Sequence, residues 1–170
     1  MADVSPIMQA LYEGRREEAE ELARDAELDV FEATALGRTD RLVELLRDEP
    51  ELAKKRSPDG FTALHFAAFF DAPAAARLLV ENGAEIDAVA ENPMKVTPLH
   101  SAAAARQLEV ARLLIEHGAD VNARQEGGFT PIHAAAQNGD DELYRLLVEQ
   151  GADESATTDD GRGVADFRSS

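Results

Sequence analysis

Residues 96-VTPLHSAAAA-105 are the central copy of a pattern that occurs three times in this chain of 170 residues. The other two copies are 61-FTALHFAAFF-70 and 129-FTPIHAAAQN-138. Each copy is followed by a leucine-rich run that ends in Gly-Ala, as in 112-RLLIEHGADVN-122. The threonines Thr62, Thr97 and Thr130 follow one another at steps of 35 and 33 residues (97 − 62 and 130 − 97). A period in this range indicates an array of stacked supersecondary units.

Each part of the pattern has a backbone reason. Threonine is suited to cap the N-terminus of a helix, and Pro98 and Pro131 take the first helical position, where the missing N–H has no partner to lose. The alanine pairs that follow allow a neighbouring helix to approach closely. The leucine-rich run predicts a second helix that ends at Gly83, Gly118 or Gly151, because glycine enters the left-handed conformation of a helix C-cap without strain. Each unit is therefore predicted to be a helix–turn–helix.

These units resemble ankyrin repeats, whose pattern is Thr-Pro-Leu-His and two alanines, then a leucine run, Gly-Ala-Asp and Val-Asn-Ala. Residues 97-TPLHSAA-103 and 118-GADVNA-123 match that pattern most closely. The departures are Ala63 in place of proline, and Asp71 and Arg106 where Gly139 stands in the last copy. The resemblance implies an all-α repeat solenoid of stacked helix–turn–helix units joined by β-hairpin-like loops, in a small stand-alone domain of the bacterial type.

The resemblance is strongest over residues 59–158 and treats the chain as one domain, 1–170. Full repeats are predicted at 59–91, 92–125 and 126–158, preceded by an N-terminal capping helix pair at 6–27 and a degenerate repeat at 28–58, and followed by a C-terminal cap at 159–170. The turn glycines Gly14 and Gly37 are 23 residues apart (37 − 14), which leaves no room for a hairpin between the first two helix pairs. The acid-rich segment 16-REEAEELARDAE-27 suits the polar outer face of a terminal unit.

Charge and composition exclude several classes of partner. The chain has 17 basic and 34 acidic residues, so its formal net charge of −17 repels nucleic acids and anionic membranes and favours a soluble monomer. Cysteine is absent, which excludes disulfides, thiolate metal sites and a cysteine nucleophile. The sequence has no apolar run of membrane-spanning length, and its N-terminus lacks the apolar core of a signal peptide. A cytoplasmic protein is therefore expected.

The recurring histidines His65, His100 and His133 invite a metal-site interpretation, but their spacing disfavours it. Stacked helices lie about 8–10 Å apart, whereas two nitrogens bound to one zinc lie within about 4 Å of each other. A structural role is predicted instead, with hydrogen bonds within and between repeats. The sequence also lacks a phosphate loop, a nucleophile elbow, an H-E-x-x-H motif and a dinucleotide fingerprint. No catalytic, cofactor-binding or metal-binding residue is therefore predicted.

The phenylalanines of 65-HFAAFF-70 predict a recognition surface. In a helical projection they lie opposite the core face, and Phe66 is predicted to pack inside the stack while Phe69 and Phe70 bind a partner. In ankyrins the last two positions line the concave groove, beside the residue that precedes each threonine. The predicted apolar row is therefore Phe61, Phe69, Phe70, Val96 and Phe129. Exposed aromatic clusters usually mark binding sites. The alternative is that the rings fold over Ala104 and Ala105 and only fill space.

The loops between repeats supply a second predicted feature. Lys55, Arg56, Lys95, Arg124 and Arg162 fall in these loops and form a broken basic line beside the apolar row, with solvated loop charges as the alternative. The loop 92-NPMKV-96 contains the two additional residues of its repeat and an adaptable methionine. The predicted partner-binding residues are Phe61, Phe69, Phe70, Met94, Lys95, Val96, Arg124, Phe129, Gln137 and Asn138.

Together these features predict a non-catalytic protein–protein interaction module that binds another protein through its concave face and hairpin tips. In this mechanism the phenylalanines supply most of the affinity and the hairpin cations orient an acidic or polar segment. Three alternatives stay open. The first is an acidic inhibitor or immunity-like protein that masks a basic partner, the second is an enzyme, and the third is a self-associating structural unit.

Overall fold

Ten α-helices lie within residues 4–168, the part of the chain that the computed structural model describes. They are α1 Pro6–Tyr12, α2 Arg16–Ala23, α3 Val30–Ala35, α4 Thr39–Asp48, α5 Ala63–Phe69, α6 Pro73–Glu81, α7 Pro98–Ala104, α8 Leu108–Glu116, α9 Pro131–Gln137 and α10 Asp141–Glu149. Short 3₁₀ helices cover Pro50–Lys54, Glu126–Gly128 and Val164–Phe167. The ends of the predicted domain, residues 1–3 and 169–170, lie outside the described residues. Within 4–168, no helix is both long enough and apolar enough to cross a membrane.

The helices form two layers. The first helices of the units, α3, α5, α7 and α9, pack against one another in sequence, and the second helices, α4, α6, α8 and α10, do the same. Between the layers lies a core of fully buried side chains: Leu64, Leu79, Leu99, Leu114, Ile132 and Leu147. The alanine pairs of the first helices are also buried, so adjacent backbones approach closely. This arrangement confirms the predicted all-α repeat solenoid.

A threonine and a histidine fix the start of each first helix. Thr62, Thr97 and Thr130 occupy the N-cap position, as predicted, and adopt extended backbone conformations. In each unit the backbone N–H of the threonine donates to Nδ1 of the histidine three residues later, at 3.1 to 3.2 Å. The threonine hydroxyl lies 2.8 to 2.9 Å from the same nitrogen. Because Nδ1 accepts from a backbone N–H, the ring proton of the neutral histidine sits on Nε2.

The same histidines link one repeat to the next. Nε2 of His65 donates to the carbonyl of Val96 at 3.0 Å, and Nε2 of His100 donates to the carbonyl of Phe129 at 3.2 Å. Nε2 of His133 is buried and has no hydrogen-bond partner among the described residues. Burial lowers the pKa of His65 and of His100 to about 4, because a charged imidazolium would lose its hydration in the core. The predicted hydrogen bonds within and between repeats are thus present for His65 and His100, whereas His133, among residues 4–168, makes only the bond within its own repeat.

Narrow hairpins connect the units. In each of them a backbone N–H donates across the loop, as from Ala90 to the carbonyl of Val96 at 2.8 Å. The tips are also bonded to one another, since Glu91 N–H donates to Gly60 O at 2.9 Å and Glu126 N–H donates to Met94 O at 3.1 Å. Gly60 has φ +85°, and a Cβ at this position would lie 2.4 Å from the carbonyl oxygen of Glu91. The hairpins therefore stack in register with the helices.

The two ends of the array differ from its middle. Residues 24–29 connect α2 to α3 without the paired hairpin that joins the later units. At the other end, the 3₁₀ helix Val164–Phe167 packs on α9, and the ring of Phe167 lies 5.4 Å from the rings of both Phe129 and His133. These end contacts determine which part of the repeat surface is left open.

Candidate functional site

An uncharged cleft of about 340 Å³ lies over α5 and α7, beside the hairpin that leads from α6 to α7. We call it the aromatic cleft, and its lining residues are Tyr12, Phe61, His65, Phe66, Phe69, Phe70, Met94, Val96, His100, Ser101, Ala104 and Gln125. Both histidines are neutral near pH 7, since the pKa of each lies at about 4. A volume of this size falls in the range of natural ligand and side-chain pockets.

The phenylalanines of α5 divide between the core and the cleft, as the helical projection predicts. Phe66 is only 3% exposed, and its ring packs 5.8 Å from Phe31 and 5.7 Å from Phe61. Phe69 is 46% exposed, and its ring meets the half-buried ring of Phe70 edge-on at 5.2 Å. The packing role of Phe66 is therefore confirmed. Phe69 and Phe70 both line the cleft, and Phe69 is the more exposed of the two.

The space in the cleft exists because the next repeat carries alanine where α5 carries phenylalanine. Ala104 corresponds to Phe69 and Gln137 to Ala104 in the successive copies of the repeat. The phenylalanine rings do not fold over Ala104, which is itself exposed and lines the cleft. A large exposed ring next to a small exposed side chain leaves a depression that another molecule's side chain can fill.

Tyr12 closes one end of the cleft, and sequence reasoning missed it. Its ring lies 6.1 Å from Phe70 and 6.4 Å from Phe66, and its hydroxyl donates to Oδ2 of Asp59 at 2.5 Å. Burial and the adjacent Asp59 carboxylate raise the pKa of Tyr12. Tyr12 reaches across the intervening unit because Ala35, which stands at the corresponding position there, is small and fully buried. The sequence contained a signal for this position. Tyr12 lies two residues before the turn residue Gly14, as Phe69 lies two residues before the turn residue Asp71, so the two aromatic residues occupy equivalent positions.

The longer loop between the second and third units brings Met94 and Val96 to the cleft, as predicted. Asn92 fixes the loop, because its Oδ1 accepts from Met94 N–H at 3.0 Å and its Nδ2 donates to the carbonyl of Asp59 at 3.0 Å. Met94 is 51% exposed. Lys95 adopts φ +51° and lines a separate shallow depression with Arg56 and Pro93.

The remaining predicted residues lie outside the cleft, so the predicted apolar row is not continuous. Phe129 is half-buried against Phe167 of the C-terminal segment. Asn138 bridges two repeats, because its amide donates to the carbonyls of Ala103 and Ala104 at 3.1 Å each. Gln137 is exposed further along α9. The C-terminal segment thus covers the surface on which Phe129 was expected to face a partner.

The arginines of the predicted basic line along the hairpins are paired with intrachain carboxylates, which offset part of their charge. Arg56 lies 2.9 Å from Glu91, Arg124 lies 2.9 Å from Asp159, and Arg162 lies 2.9 Å from Asp160. The first two pairs join residues 35 positions apart (91 − 56 and 159 − 124), which the stacked hairpins place side by side. Lys95 forms no ion pair with a described residue.

The cleft also contains two polar groups that the sequence analysis did not identify. Ser101 is 8% exposed and lines the floor, and its hydroxyl makes no hydrogen bond with another described side chain or carbonyl. The half-buried side chain of Gln125 likewise has no protein partner among residues 4–168. An apolar pocket with a few convergent polar groups is the usual form of a binding site.

The chain was compared with models of protein families. The family described as ankyrin repeats (3 copies) matches residues 31–125 and 86–158. Together these matches span residues 31–158, which is more than half of the chain. They include α5, α7 and the hairpin between them, and they exclude α1, which carries Tyr12. No curated protein matches the chain.

Proposed function

Since this chain belongs to the ankyrin repeat family, whose members generally serve as protein–protein interaction modules and typically lack catalytic activity, we propose that it binds a partner protein through the aromatic cleft. The cleft would receive an apolar side chain of the partner, and Ser101 and Gln125 would hydrogen-bond to the partner's main chain. The chain acts as a cytoplasmic monomer in this proposal.

One observation carries the proposal: exposed apolar side chains are concentrated at the cleft. Among the described residues, six large hydrophobic side chains are exposed: Tyr12, Leu22, Val43, Phe69, Val89 and Met94. Three of these six, Tyr12, Phe69 and Met94, line the aromatic cleft. Single exposed apolar residues are ordinary, but a contiguous cluster on a highly charged protein indicates a surface that is covered in the functional state.

The construction of the cleft favours tight binding. Tyr12 is fixed by Asp59, Met94 is positioned by Asn92, and Phe69 rests on Phe70. Each of these walls is already in place before a partner arrives, so binding orders few side chains and loses little conformational entropy. Aromatic side chains in such pockets commonly act as binding hot spots.

The proposal is tested by removing and by filling the cleft. Phe69→Ala removes its most exposed ring, and Ala104→Gln fills it with the side chain that the next repeat carries at the corresponding position. Val43→Ala is the matched control, because Val43 is 47% exposed and lies on α4, away from the cleft. Each variant is used to capture partners from the native cell, and captured proteins are quantified by mass spectrometry.

We expect the amount of a specific captured protein to fall more than about tenfold with both cleft variants, as hot-spot substitutions weaken binding, and to stay unchanged with Val43→Ala. Phe69→Ala should lower the free energy of unfolding by only about 1 kcal/mol, because half of its ring is already in water. Phe66→Ala should cost about 3–5 kcal/mol, since that ring is buried. Full capture by both cleft variants would show that the binding surface lies elsewhere.

A further inference from the structure

Resting on the proposed function, we propose that the aromatic cleft is specific for a basic partner segment, in which an apolar side chain is flanked by lysine or arginine. The walls of the cleft are uncharged, so selection by charge must come from its rim. The rim is acidic. A basic segment is therefore proposed here, whereas the loop cations had suggested an acidic or polar partner segment from the sequence.

Three carboxylates belong to residues that adjoin the lining of the cleft, by a hydrogen bond to a lining residue or as its neighbour in the chain. Asp59 lies at the Tyr12 end, where it accepts the tyrosine hydroxyl. Asp71 directly follows Phe70 at the end of α5, and Glu126 directly follows Gln125 at the hairpin. Asp71 and Glu126 are exposed, and neither forms an ion pair with a described residue.

The cations near the cleft do not offset these carboxylates. Arg56 and Arg124 are each held by an intrachain carboxylate at 2.9 Å. Arg106 lies 4.0 Å from Asp140, so it faces a negative charge as well. Lys95 is unpaired within the described chain, but it lines a separate depression with Glu91 and Pro93 and does not line the aromatic cleft. With a net charge of −17 behind this rim, the potential outside the cleft attracts cationic segments.

A second observation indicates that the occupant is a peptide segment rather than a purely apolar group. The hydroxyl of Ser101, a residue 8% exposed, opens into the cleft without a protein partner. The amide of Gln125 offers both a donor and an acceptor, which match the C=O and N–H of a peptide backbone. An apolar anchor, a hydrogen-bonded main chain and cationic neighbours together define the segment.

The test uses four synthetic peptides that carry fluorescein, with binding followed by fluorescence anisotropy. The first has a central Leu-Phe between paired lysines, the second has the same centre between paired glutamates, and the third has it between paired serines. The fourth keeps the lysines but has Gly-Gly at its centre, so it measures attraction by net charge alone. Each peptide is titrated at about 50 mM and about 300 mM salt, because screening weakens charge–charge contacts between these concentrations.

Two double variants with the same change in net charge locate the effect. Asp71→Asn with Glu126→Gln neutralises the rim, and asparagine tolerates the positive φ of 57° at position 71. Glu116→Gln with Glu149→Gln neutralises two exposed carboxylates on the outer helices α8 and α10.

We expect the lysine-flanked Leu-Phe peptide to bind at least about tenfold more tightly than both the glutamate-flanked and the Gly-Gly peptides at low salt. The rim variant should lose about threefold to tenfold of that affinity, and the outer-helix variant should not. Equal binding of the Gly-Gly peptide, or equal loss in the outer-helix variant, would overturn the inference, because net charge alone would then explain the binding.

Tighter binding of the glutamate-flanked peptide than of the lysine-flanked peptide would also overturn the inference. If Phe69→Ala abolished that binding, the cleft would nevertheless remain the binding site. If peptide binding is insensitive to both Phe69→Ala and Ala104→Gln, the inference and the proposed function are both wrong.

Discussion

Acidification from about pH 7.5 to about pH 5 should destabilise this protein through its buried histidines. The pKa of His65 and of His100 is about 4 in the folded protein, against the ordinary value of 6.5 in an unfolded chain. The unfolded chain therefore binds more protons than the folded protein between these two values. Stability is fully present above pH 6.5 and is lost progressively as the pH falls toward 4.

The size of the effect follows from these two pKa values. At about pH 5, each histidine should have lost about 2 kcal/mol of its contribution to the free energy of unfolding, and the two together about 4 kcal/mol. This is a large part of the roughly 5–15 kcal/mol by which a domain is stable. Geometry gives the same direction, because protonated Nδ1 of His100 would face the N–H of Thr97 instead of accepting from it.

The measurement is urea denaturation of the native chain, His100→Gln and His117→Gln at both pH values. His117 is exposed at the end of α8 and serves as the control. His100→Gln should be less stable than the native chain at both pH values. The loss of unfolding free energy between about pH 7.5 and about pH 5 should, however, be about 2 kcal/mol smaller in His100→Gln than in the native chain. The changes in carboxylate charge are common to all three proteins and cancel in this comparison. An unchanged pH difference in His100→Gln would refute the reasoning, since it would mean that His100 gains its proton without cost to the fold.

Two backbone predictions follow from the positive φ angles. Gly60→Ala should lower the free energy of unfolding by about 2–3 kcal/mol, because left-handed backbone strain adds to a clash of the new Cβ with Glu91 O at 2.4 Å. Gly83→Ala should lower it by only about 1 kcal/mol, because Gly83 has φ +88° but a Cβ there would meet no atom within 4 Å. Equal losses of stability in urea denaturation would show that the hairpin tips do not need their close contact. Arg106→Gly should raise the melting temperature and the free energy of unfolding, the latter by about 0.5–1 kcal/mol, because Arg106 adopts φ +61° where the next repeat has Gly139. A lower melting temperature would mean that the ion pair of Arg106 with Asp140 outweighs the backbone strain.

The repeat geometry could be predicted from the sequence because its signals are local. Threonine capping, proline at the first helical position and glycine after the second helix each act within one turn, and their fixed spacing gives the register of the stack. The same register predicted that Phe66 packs inside and that Phe69 is exposed. Both follow from the direction in which one helical position points.

The parts of the site that could not be predicted depend on neighbours from distant sequence. Tyr12 enters the cleft because Ala35 is too small to keep it out, and this requires knowing that two non-adjacent units meet across a third. Phe129 is covered because the C-terminal segment folds back and places Phe167 on it. Arg56 and Arg124 are neutralised by acids that become neighbours only when hairpins stack. A charge in a loop is therefore a poor guide to the charge that a partner meets.

The contact between Tyr12 and Phe70 makes the outermost helix pair a wall of the recognition surface. Terminal units of a repeat array open most easily, because each has only one neighbour. Transient fraying of α1 would remove that wall and leave the other three sides of the pocket intact. A bound segment that contacts Tyr12 would therefore slow hydrogen exchange in α1. Binding in the cleft would thus stabilise the N-terminal helix through the single side chain of Tyr12.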